Sequence, residues 1–187
     1  YYPVEYMAAL ISSIMGQTKQ VALYIEECKR LGIEVLRPDV NKSFKKFTVE
    51  GDNIRFGLLG IKGIGAGAID AVVKARKEGG NFTSLKDFIV RVGAVDNLAV
   101  NKRSLEGFIR SGAMDDIIPG RSKAMGVYEG ILSSNQMELK RNIVGQFDLF
   151  GTAEGVEDNF DVEYPNVPEF TKSELLEMEK DSTGVYI

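Results

Sequence analysis

The run Leu59-Gly60-Ile61-Lys62-Gly63-Ile64-Gly65-Ala66-Gly67-Ala68-Ile69 constrains the fold of this chain more than any other stretch. An apolar segment bends at Gly63-Ile64-Gly65 and restarts as an amphipathic helix through Ala68, Ile69, Val72 and Val73. Glycine admits positive φ and leaves backbone amides uncovered. A helix that begins at such a bend offers unsatisfied N–H groups and the positive end of its dipole. Together these make a seat for an anion such as a phosphate. Lys62 adds a mobile positive charge beside the turn. No Ser or Thr follows a Gly-Lys pair, so this is not a nucleoside-triphosphate loop. A tight turn that merely lets two helices pack is the competing reading, and glycine spacing leaves both open.

The surrounding pattern is helical. Val4 to Met15 places Met7, Leu10, Ile11 and Ile14 on one side, and Gly16 ends the run. Thr18 can cap a second helix, with Val21, Ile25, Cys28 and Leu31 on one face and Gly32 at its C-cap. Phe47-Thr48-Val49 and Ile54-Arg55-Phe56 alternate about Gly51-Asp52-Asn53, a β-hairpin signal with Phe47, Val49, Ile54 and Phe56 toward one face. The helix after the glycine bend runs from about Ala66 to Lys77 and stops at Gly79-Gly80-Asn81. Thr83 or Ser84 starts a further helix through Leu85, Phe88, Ile89 and Val92, and another from Asn101 carries Leu105, Phe108 and Ile109. Two helix–turn–helix units in succession predict a four-helix core. The second turn, Asp96 to Asn101, lacks paired glycines, and its Lys102 and Arg103 are either phosphate ligands or surface cations. Arg121 to Leu139 fits one more helix, and Thr171 or Ser173 caps a last one through Leu175, Leu176 and Met178. The final apolar run, Gly184-Val185-Tyr186-Ile187, reads as an edge strand or as a cut through a longer element.

A short apolar–Gly–apolar–Gly turn between helices is the pattern of a helix-hairpin-helix, which grips nucleic-acid backbone without reading bases. The net charge of −4 argues against such a role until its distribution is considered. Residues 153–187 hold ten acids and two bases, a net −8, which leaves residues 1–152 at +4. The acidic excess belongs to the tail and the body is mildly basic. With one cysteine and no histidine, disulfide scaffolds, Cys/His zinc sites and histidine triads are excluded. Cys28, on an apolar helix face, reads as a buried inert thiol in a reducing compartment. No stretch approaches the roughly 20 apolar residues of a membrane span. The opening Tyr1-Tyr2-Pro3, without methionine, reads as the start of an excised piece. The fold class that follows is mainly α: a helical bundle with tandem helix-hairpin-helix units and a small β-hairpin, then an irregular acidic tail.

Gln146-Phe147-Asp148-Leu149-Phe150 stands between polar stretches, flanked by Gly145 and Gly151. Its apolar side chains are too few to build a core and need burial elsewhere. Leu149 and Phe150 can enter a partner's apolar pocket while Gln146 orients the peptide. Burying both contributes about 3–6 kcal/mol before ordering costs. Folding back onto this chain's own helices is the alternative.

The chain resembles the alpha subunit of bacterial DNA polymerase III, the family-C replicative polymerase. The resemblance rests on Tyr2-Pro3-Val4-Glu5-Tyr6-Met7-Ala8-Ala9-Leu10, Tyr24-Ile25-Glu26-Glu27-Cys28-Lys29-Arg30-Leu31-Gly32-Ile33 and Ile54-Arg55-Phe56-Gly57-Leu58. It continues through Ile61-Lys62-Gly63-Ile64-Gly65, Asn101-Lys102-Arg103-Ser104-Leu105, Ser111-Gly112-Ala113-Met114-Asp115, and Glu179-Lys180 before Gly184-Val185-Tyr186. It implies that residues 1–40 are a helical hairpin at the end of the fingers, 41–142 the helix-hairpin-helix domain, 143–172 a clamp-binding peptide with an acidic linker, and 173–187 the start of a truncated domain. It also implies that Lys62, Gly63, Ile64, Gly65, Ala66 and Gly67 touch duplex backbone, with Asn101, Lys102 and Arg103 in the second unit. Gln146, Phe147, Asp148, Leu149 and Phe150 are then the sliding-clamp motif.

By the same resemblance the palm, with its magnesium-binding carboxylates, lies outside this segment. No aspartate here is assigned catalysis, no metal and no cofactor is expected, and the setting is the bacterial cytoplasm among other replicase subunits. The function implied is a non-catalytic polymerase segment that holds duplex DNA and tethers the enzyme to its clamp. A stand-alone helix-hairpin-helix adaptor of repair or recombination is the alternative, and a helical protein-interaction scaffold is a third.

Overall fold

The computed structural model describes residues 2–145 and 162–187. Among the described residues the elements are seven α-helices and a three-stranded sheet, on which α1 and α2 pack: α1 (Pro3–Ser13), α2 (Thr18–Arg30), β1 (Val35–Leu36), β2 (Thr48–Glu50), β3 (Asn53–Arg55), α3 (Ala66–Gly79), α4 (Leu85–Val95), α5 (Lys102–Arg110), α6 (Arg121–Gly145) and α7 (Lys172–Thr183). The expected helix faces form the core. Met7 and Ile11 of α1 are buried with Val21, Ile25 and Cys28 of α2. Leu31 is not; it is 53% exposed, because the helix has already ended at Arg30. Thr18 is the first helical residue, not the cap, and Gln17 stands before it. At the other end Gly32 takes φ +74, so that its N–H reaches the Lys29 carbonyl and the Ile33 N–H that of Cys28. Those two bonds close a helix terminus that a β-branched residue could not close.

The hairpin forms, with β2 antiparallel to β3 and Val49 opposite Ile54. Gly51 turns it at φ +64. Phe47, Ile54 and Phe56 are buried, whereas Val49, on the edge strand of the sheet, is 41% exposed. Sequence reading misses β1, which pairs in parallel with β3 and completes the order β1-β3-β2. A two-residue strand carries no period of its own, and only its partner makes it one.

The expected four-helix core of two successive units takes the form of three α-helices and a short limb. The first hairpin unit opens with a single 3-10 turn, Leu58–Gly60, before α3. The second consists of α4 and α5. Ser84 caps α4 by accepting the Asp87 N–H. Phe82, Phe88 and Phe108 stack edge to face in the middle of this region, with centroids 4.9 and 5.4 Å apart. α6 packs across α4 and α5 through Ala124, Tyr128 and Leu132.

The stretch before α7 lies over α6. Pro165 approaches Gly126, and the Glu169 carboxylate accepts the Arg121 and Ser122 amides at the start of α6. Thr171 and Glu174 form a capping box on α7. α7 packs on α5, and Val185 beyond it enters the common core. Arg121, whose side chain is 5% exposed, ties these parts together, reaching Asp115 at 2.7 Å and Glu179 of α7 at 2.7 Å. The pentapeptide Gln146–Phe150 lies outside the described residues.

Candidate nucleic-acid interface

The bend between the 3-10 turn and α3 is built on alternation of buried and open positions. Ile61 and Ile64 are buried, while Lys62, Gly63, Gly65, Ala66 and Gly67 are exposed. Ile64 is anchored in a notch on α5. A Cβ on Gly107 would stand 3.2 Å from its Cγ1, so a larger residue there would have to push Ile64 outward. Gly63, at φ +86, makes the reversal that an L side chain resists.

Gly65 is the N-cap of α3, with extended backbone and no side-chain capping bond. The first α-helical bond is the Ile69 N–H to the Gly65 carbonyl. The amides of Ala66, Gly67 and Ala68 precede it and have no acceptor among the described residues. The first turn carries no acid. Exposed amides, an unopposed dipole and no carboxylate together suit an incoming oxyanion.

Lys62 contributes its side chain only. Its backbone N–H donates to the Ser182 carbonyl at 2.7 Å, and its stem passes beside Gly184. The end of α7 therefore braces the bend. No local signal in the sequence reports this contact between residues 120 positions apart.

The second unit divides its three expected residues among separate tasks. Asn101 caps α5, accepting the Ser104 N–H while Ser104 accepts the Asn101 N–H, so its side chain is committed to the helix. Lys102 turns toward α6 and pairs with Glu129 at 3.0 Å. That hydrogen bond and charge hold the ammonium above its ordinary pKa. Arg103 turns the other way and lies against Gly63, where a Cβ would come within 3.0 Å of its Nε. No carboxylate among the described residues pairs with it. The glycine bend, the open start of α3 and Arg103 thus lie together, with Lys62 adjoining the bend in sequence and its stem toward Gly184. Asn101 and Lys102 flank this group with other partners.

A short helical limb, a glycine bend and a helix that opens at it have the layout of a helix-hairpin-helix unit. Residues 32–124 match the family described as helix-hairpin-helix motif. The similarity extends well beyond those residues. The chain is 35% identical over 188 residues to DNA polymerase III subunit alpha of Vibrio cholerae, and 35% identical over the same length to that of Haemophilus influenzae. It is 33% identical over 188 residues to that of Escherichia coli K12. Each alignment covers 100% of this chain and 16% of the relative. The chain belongs to the DNA polymerase III alpha-subunit family and spans about one sixth of the length of those curated relatives.

Proposed function

We propose that this chain is the part of a replicative DNA polymerase that holds duplex product by its backbone and links the enzyme to its sliding clamp. One observation carries the first half: the glycine bend is exposed, α3 begins there without a side-chain cap, and Arg103 lies alongside. A phosphate entering this surface accepts hydrogen bonds from the α3 amides while Lys62 and Arg103 neutralise it. No base edge is involved, so affinity is independent of sequence and falls with salt. Similarity from end to end, including the helices outside residues 32–124, favours a polymerase segment over a stand-alone adaptor.

The second half rests on Gln146-Phe147-Asp148-Leu149-Phe150, directly after the end of α6 at Gly145. Leu149 and Phe150 fill an apolar pocket on the clamp, and Gln146 orients them. A tether of this kind raises the effective concentration of the polymerase at the primer end, so a weak grip on DNA suffices for long runs.

Titration of the chain with a blunt duplex at several salt concentrations tests the grip. Two or three phosphate contacts give a log–log slope near −2 to −3; salt-independent or absent binding overturns it. A pull-down with purified clamp tests the tether. Leu149→Ala with Phe150→Ala abolishes association and spares duplex binding, and an unchanged pull-down removes the peptide from the account.

A further inference from the structure

A second charged surface lies farther along α3. Phe44, Lys45, Lys46 and Thr48, leading into β2, face Lys74 and Lys77 of α3 across a groove of about 460 Å³. Asp70 and Glu78 also line it, Asp70 bound to Lys45 at 3.0 Å and Glu78 at 4.0 Å from Lys74. Lys46 and Lys77 are exposed and have no carboxylate partner among the described residues. The groove therefore keeps a positive excess.

Phe44 is 44% exposed, yet it is held rigidly. The buried Arg76 guanidinium sits 4.8 Å from the ring centroid and donates to the Val40 and Ser43 carbonyls, both at 2.8 Å. The Phe44 carbonyl accepts the Leu58 N–H, and that of Lys45 accepts the Leu59 N–H. A Cβ on Gly57 would come within 2.5 Å of the Lys46 carbonyl carbon, so the two backbones are pressed together there. This aromatic platform is thus fixed to the same segment that leads into the glycine bend. Along α3, Lys74 and Lys77 lie about 14–18 Å from Gly65.

A fixed, half-open aromatic ring among unpaired lysines is the chemistry that receives an unpaired nucleotide strand. We propose that this groove binds single-stranded DNA next to the duplex held at the bend: one base stacks on Phe44, and Lys46 and Lys77 hold its phosphates. The assignment rests on the reading of the bend as a nucleic-acid contact, but it reports on a different substrate.

Fluorescence anisotropy with a blunt duplex, and with the same duplex carrying a ten-nucleotide overhang, separates the two. The overhang tightens binding of the whole chain. Phe44→Ala removes about five-fold or more of the overhang affinity and leaves blunt-duplex affinity unchanged. Lys46→Gln with Lys77→Gln, which touches no packed side chain, lowers the salt slope for overhang DNA by about 1.4. An overhang that adds nothing, or variants that weaken both substrates equally, overturns the groove. Failure of the blunt duplex alone to bind, with overhang binding still dependent on Phe44, overturns the bend and leaves the groove standing.

Discussion

Arg103 lies across Gly63, its Nε 3.0 Å and its Cγ 3.4 Å from the place a Cβ would occupy. The exposed bend of the first hairpin unit is therefore flanked by a side chain from the first helical turn of the second. This contact puts an unpaired guanidinium beside the open start of α3, and a side chain at residue 63 would have to push it aside.

Gly63 and Gly65 differ as targets. Gly63→Val strains a backbone at φ +86 by about 1–3 kcal/mol and displaces Arg103 as well. Its urea midpoint falls together with its duplex affinity. Gly65 has ordinary backbone angles and nothing within 4 Å of an added Cβ. Gly65→Val keeps stability within about 1 kcal/mol but places a branched side chain where the phosphate would sit. Full duplex affinity in folded Gly65→Val rules out the bend as the contact.

The cations of the second unit respond unequally. Arg103→Ala lowers the salt slope for duplex binding by about 1, the loss of one phosphate contact. Lys102→Ala changes it less, because Glu129 already holds that ammonium. Glu129→Gln releases Lys102 and tightens duplex binding at low salt. Equal effects of the two alanine variants in anisotropy titrations contradict this division.

Arg121 holds α7 to the rest of the fold. Its guanidinium is buried between Asp115 and Glu179, so Arg121→Met strands Glu179, leaves Asp115 with Arg37 as its remaining cation, and destabilises by about 3 kcal/mol in urea unfolding. Glu179→Gln loosens α7 more selectively. Hydrogen exchange then quickens at the Lys62 amide, which donates to Ser182. Protection of that amide unchanged from the parent chain shows that α7 does not brace the bend.

Burial, with the neighbouring Glu27 charge, pushes the Cys28 thiol up to about 11. At pH 8 only about one thiol in a thousand is ionised. A thiol reagent therefore labels the unfolded chain and spares the folded one. Rapid labelling under native conditions is inconsistent with the packing of α1 against α2.

Helix limits were readable where a residue type has a local mechanism. Gly32, Gly80 and Gly112 take positive φ at or just beyond helix ends, and Ser84, Asn101 and Thr171 accept N–H groups from their own first turns. Each of these effects is complete within four residues of chain. The strand Val35–Leu36 and the exposure of Val49 were not readable, since both depend on what lies beside them. The interface was half legible. The bend stands out in the sequence, whereas the division of Asn101, Lys102 and Arg103 into a cap, an ion pair and a free cation does not.

The amino-acid order by itself determined where the backbone must turn, which helix faces are apolar and that a glycine bend opens α3, because these follow from φ preferences and side-chain period. Folding in three dimensions decided that Arg103 lies against Gly63, that Ser182 takes the Lys62 amide and that Arg121 joins α6 to α7. Those contacts link residues 40 to 120 positions apart. No local propensity encodes them; they exist only once burial of the shared core has brought the distant segments within reach.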